Sequence, residues 1–185
     1  GMKAFRSHLT LGFSTLAHAF THAYQVAMAP MYVIMAADLG VAGAKGAQWV
    51  TLIMTVMLVV IALMSYGAGI LADRFNRKNL MGIGVMGNGL MFVLMGFTHR
   101  YDLILLLGAS AGLFWALFHP MANALVPAHY PKKIGLAVGI LGSGSGLGYF
   151  FGAQYCGWRS DVLLAAKVAL PWQKPLMELG IAGVI

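Results

Sequence analysis

The sequence predicts an all-α protein, a polytopic membrane helical bundle, on three observations. Hydrophobic residues fill 60% of the 185 positions and charged residues only 9%, with a mean hydropathy of +0.80. A soluble domain carries roughly 25% charged residues, so this chain lacks the polar surface that water requires. Uncharged stretches run over 9–37, 46–72, 80–98, 103–128 and 134–158; about 20 apolar residues carry a helix across the hydrocarbon. Finally, the cations gather in the short breaks between these stretches, so the net charge of +7 reads as a topology signal and not as affinity for nucleic acid.

Each stretch is expected to be helical. A backbone facing lipid must satisfy its own hydrogen bonds, and the stretches lack the alternation of a barrel strand. The first run is too long for the core of a signal peptide, about 7–15 residues, so cleavage is not expected. After Arg159 the chain turns amphiphilic, and Pro171 and Pro175 interrupt helix continuity. The apolar 176–185 tail reaches only about 15 Å as helix. A sixth span either starts near Val162 and tolerates Lys167 and the prolines or is cut off at Ile185; the second is the expectation. Cys156 is the single cysteine, which excludes an internal disulfide.

Orientation follows from the cations. One side takes Lys3, Arg6, Arg74, Arg77, Lys78, Lys132 and Lys133; the other takes Lys45, Arg100, Arg159, Lys167 and Lys174. The richer side is assigned to the cytoplasm, with the amino terminus inside. Trp49, Tyr101, Trp158 and Trp172 fall near the opposite boundary and read as interface anchors.

Polar residues at membrane depth usually face a cavity or a partner. His18, His22 and Gln25 share one helical face of the first span. Trp115, His119 and Asn123 repeat the theme in the fourth, with Pro120 able to free a carbonyl and kink the helix. These six are the candidate substrate-lining residues; ordinary interhelical hydrogen bonding is the plainer account. A metal or haem site built on His18, His22 and His119 is a second account, against which stands the lack of a carboxylate or thiol companion. No metal or cofactor is therefore expected. Gly142, Gly144 and Gly146 lie mid-span with no lysine following, which excludes a phosphate loop. Nothing points to an enzyme.

Gly69, Asp73, Arg74, Arg77 and Lys78, between the second and third spans, keep a spacing similar to the G-x-x-x-D-R-x-G-R-K loop of the major facilitator superfamily. Asn76 stands where that family has glycine, and the turn is expected to survive because asparagine enters the left-handed region readily. Gly135, Gly144, Gly148 and Gly152 resemble the fifth-span motif of antiporter branches, with Tyr149 in place of its proline. Phe118, His119 and Pro120, with the paired histidines of the first span, resemble the fosmidomycin-resistance-like, drug-efflux branch. No arginine occurs over 103–108, so proton coupling through the fourth-span arginine of the family does not carry over.

The resemblance implies that residues 1–185 are the amino-terminal, six-helix half of a secondary transporter in a bacterial inner membrane. Such a half works against a carboxy-terminal half, a separate chain or a second copy of itself. It implies a small organic solute or drug as substrate, a coupling ion, expected to be the proton, and efflux or exchange as the activity. A non-transporting scaffold is the remaining alternative. Asp73, Arg74, Arg77 and Lys78 would form a cytoplasmic gate, with Gly69 allowing close packing one turn earlier. The fifth-span glycines would form the surface toward the other half.

Overall fold

The computed structural model describes residues 2–184, with side chains from Phe5 onward. The side chain of Lys3, counted above among the cations, and Ile185, named above as the end of the sixth span, lie outside the described residues. All regular structure among the described residues is helical: α1 (Met2–Val26), α2 (Tyr32–Asp38), α3 (Gly46–Arg74), α4 (Arg77–Met95), α5 (Tyr101–His129), α6 (Ile134–Ala165) and α7 (Gln173–Val184). α3, α4, α5 and α6 are each long and apolar enough to cross a membrane by length and composition. α1 falls short of that standard because its buried face carries Ser14, His18, Thr21 and His22.

The stretch read as one first span is divided. α1 ends at Val26, a 3-10 turn covers Ala29–Met31, and α2 resumes at Tyr32. Pro30 is the physical reason, since it has no N–H to give to the preceding turn. α2 then stops in a Schellman arrangement: Gly40 sits at φ 70, its N–H donates to Ala37 O, and Val41 N–H donates to Ala36 O. α6 ends the same way, with Lys167 N–H to Leu164 O and Val168 N–H to Leu163 O, but here Lys167 occupies the left-handed position at φ 57. α7 opens at Gln173 and takes Pro175 into its first turn, where a missing N–H costs little. The sixth helix therefore starts well after Val162.

The bundle packs α1 against α6, α5 against α3 and α4, and α7 against α4. Glycines set these seams, two of which serve as examples. A Cβ on Gly112 would lie 2.6 Å from Met57 O, and one on Gly180 would lie 2.6 Å from Gly89 O. Backbones at that distance exclude any side chain between them. The interior is methionine- and aromatic-rich, with Met28, Met31, Met35, Phe92, Met95 and Trp172 fully buried. Large apolar side chains also cover the outside, among them Phe13, Val33, Leu63, Phe97, Leu106 and Phe150. Apolar surface outside and polar groups inside is the arrangement a lipid solvent selects.

Trp172 departs from its expected place at the interface. It is wholly buried, and its indole N–H donates to Asp38 Oδ2 at 2.9 Å, tying the α6–α7 connection to the end of α2. Trp49 and Trp158 are exposed.

Candidate functional site

Helical spacing puts His18, His22 and Gln25 one turn apart on α1, and the packing of α5 and α6 completes their surroundings. His18 Nδ1 lies 2.7 Å from Leu141 O of α6, and His22 Nδ1 lies 3.0 Å from Gln25 Oε1. The two Nε2 atoms face each other at 3.0 Å. Gln25 Oε1 also accepts from Tyr149 O–H of α6 at 2.7 Å. From α5, Trp115 Nε1–H donates to Thr21 O at 3.0 Å, which pins the two helices in register.

His119 completes the cluster. Its ring centroid is 4.5 Å from Trp115, 5.1 Å from His18 and 5.4 Å from His22, and it makes no hydrogen bond among the described residues. His18 and His22 are buried and His119 is half-buried. Five of the six candidate residues thus converge on one point in the middle of the bundle. Asn123, one turn along α5, is exposed and makes no hydrogen bond among the described residues. Tyr149 is the member the sequence did not single out. Its place on the α6 face beside the glycine ridge was the available signal.

The other expectations meet a different geometry. Gly144, Gly148 and Gly152 do form a packing ridge, but against α1: added Cβ atoms would collide with Thr15 O, Ala19 O and, at 2.6 Å, Ala23 Cα. The face assigned to a second half is filled within this chain. Gly135 and Gly69 have no neighbouring atom within 4 Å of an added Cβ, so neither is a close-packing glycine among the described residues. Asn76 does not use the left-handed region. At φ −66 and ψ 114 it caps α4, its side-chain oxygen accepting from the N–H groups of Lys78 and Asn79. Asparagine is among the strongest N-cap residues. Asp73 is exposed and, among the described residues, pairs only with Arg77, at 3.7 Å, beside the start of α4. Arg74 makes no ion pair among the described residues.

Further polar links escaped sequence reasoning. Arg159 of α6 forms a forked ion pair with Glu178 of α7, at 2.7 Å for its shortest contact, and Tyr155 O–H donates to the same carboxylate. Asn88 on α4 is buried with neither amide atom hydrogen-bonded among the described residues. At the end of the bundle that holds the α3–α4 loop, Arg6, Lys78 and His129 line a cavity of about 480 Å3.

A helical bundle with an apolar exterior, glycine-tight seams and a buried polar cluster is the architecture of an integral, multi-pass membrane protein. The profile of the Major Facilitator Superfamily matches residues 11–172, and the chain belongs to that family. Its members are transporters and not enzymes. Similar proteins include the "Multidrug resistance protein MdtG" of Rahnella sp. (strain Y9602) and that of Escherichia coli (strain K12 / DH10B). Each is 34% identical over 134 residues, covering 71% of this chain and 32% of the relative. The matched region is thus about a third of the relatives' length. Among solved structures, a bacterial homolog to the human lysosomal transporter Spinster, inward-facing and unoccupied, superposes with a TM-score of 0.73 at 18% identity. It covers 96% of this chain and 41% of that one, which shows the fold.

Proposed function

We propose that this chain supplies the amino-terminal half of a secondary transporter that exports a small organic solute or drug in exchange for protons. One observation carries the reading: His18, His22, Gln25, Trp115 and His119 converge from α1 and α5 on one polar cluster within the bundle. Burying that much polarity at membrane depth is costly unless a ligand or an ion uses it. The designation of the MdtG relatives as multidrug resistance proteins supports a drug-like solute. In this reading the amino terminus lies in the cytoplasm of a bacterium, and a carboxy-terminal half, a separate chain or a second copy closes the cleft from the far side.

The test is efflux in everted membrane vesicles carrying the protein with His119→Ala. Altered solute affinity or an altered pH profile is expected. Unchanged values for both return His119 to a packing role and remove the reading's main support.

A further inference from the structure

We propose that His18, His22 and His119 bind one transition-metal cation of the Zn2+ class, held by three imidazole nitrogens, with the fourth position left to a ligand from outside the chain. The ligand atoms of the three rings all lie within 4.8 Å of one another. Zn–N bonds of about 2.0–2.1 Å in a tetrahedral site place their nitrogens about 3.3 Å apart. His18 and His22 Nε2 stand at 3.0 Å, close to that spacing before any metal enters. His119 comes from a different helix and has no hydrogen bond among the described residues, so a metal would displace no partner of its ring.

The tautomers point the same way. Leu141 O can only accept, so the proton of His18 sits on Nδ1. Gln25 presents its carboxamide oxygen to His22 Nδ1, and Tyr149 O–H donates to that same oxygen, so the proton of His22 also sits on Nδ1. With both rings neutral, both Nε2 atoms then carry lone pairs that face each other. Two lone pairs at 3.0 Å repel; a cation lying to one side and bonded to both reverses the sign. A histidine whose far nitrogen donates to a carbonyl is also the usual second sphere of a metal ligand, fixing tautomer and ring direction. Here α6 supplies that support twice, through Leu141 directly and through Tyr149 on Gln25.

Three neutral imidazoles leave the metal charge uncompensated, so the open position suits hydroxide or an anionic group on a solute. One competing arrangement turns the Gln25 carboxamide over. It would then donate to His22 Nδ1, place a proton on His22 Nε2 and give a neutral chain ending at His18. That arrangement assigns nothing to His119.

The proposal stands apart from the transport reading, because the measurement needs no transport. The full 185-residue chain, without a histidine tag, is purified in detergent and titrated with Co2+ alone. One Co2+ per chain with the intense visible bands of a four-coordinate centre is expected, and Zn2+ should bleach them. The bands should vanish in His18→Gln and His119→Gln and persist in the His8→Gln/His129→Gln double variant. Should the histidine variants lose their far-ultraviolet helical signal, Gln25→Ala decides instead, with affinity expected to fall about 10–100-fold. The proposal is overturned by any of three results: a colourless wild-type sample, bands that survive loss of His18 or His119, or unchanged affinity in Gln25→Ala. A colourless protein removes the metal and leaves the transport reading, which is judged separately by efflux from vesicles in which the chain is assembled with its second half.

Discussion

The seam between α1 and α6 carries two contacts of the histidine cluster, His18–Leu141 and Gln25–Tyr149, and Gly152→Ala tests that seam at its most calculable point. The added Cβ would lie 2.6 Å from Ala23 Cα and 2.7 Å from Ala23 Cβ. Carbon atoms rest at about 3.5–4.0 Å, so the helices must part by about 1 Å locally. The obstacle includes backbone, so no rotamer change relieves it. Overpacking of this kind costs about 1–3 kcal/mol. Gly146→Ala on the same helix is the matched control: nothing lies within 4 Å of its added Cβ. That variant should stay within about 0.5 kcal/mol of the parent, or gain up to about 1 kcal/mol from helix propensity. Both are read as the midpoint of unfolding when detergent micelles are titrated with dodecyl sulfate, followed by tryptophan fluorescence. Equal midpoints for the two variants would refute the reasoning. Because His18–Leu141 and Gln25–Tyr149 straddle the same seam, Gly152→Ala should also weaken Co2+ binding.

Asp73→Asn should abolish transport while leaving insertion and stability unchanged to within about 0.5 kcal/mol, since its one ion pair is exposed; vesicles with undiminished efflux would dismiss the gate. Lys167→Gly should stabilise the chain by about 1 kcal/mol in the same titration by removing a side chain from a left-handed position, and a loss of stability would show that Lys167 contributes more than its backbone strain takes away. Trp172→Phe should cost about 1–2 kcal/mol, because it takes the buried indole's hydrogen bond from a solvent-exposed carboxylate, and an effect under 0.5 kcal/mol would mean that water replaces the indole at Asp38.

The residues that sequence reasoning located well are those whose meaning is local. Hydropathy over 20 residues marks which segments lie in lipid, and helical spacing alone puts His18, His22 and Gln25 on one face. Pro30 was in view as well, yet only the structure shows that it divides the first stretch into α1 and α2. The errors came where a residue's role depends on what stands opposite it. Gly144, Gly148 and Gly152 were legible as a close-packing ridge, but the ridge could not name α1 as its partner. Trp172 near a boundary looks like an anchor until Asp38 is found beside it.

The physical reason is the solvent. In water, burial and apolarity coincide, so pattern reveals the inward face of a helix. In lipid the outward face is as apolar as the core, and association rests on shape and on a few hydrogen bonds. Sequence alone therefore determined that this protein is a helical membrane bundle of the major facilitator kind, with polar residues at depth. The tertiary structure decided that α6 meets α1, and with it that three histidines from two helices share one point.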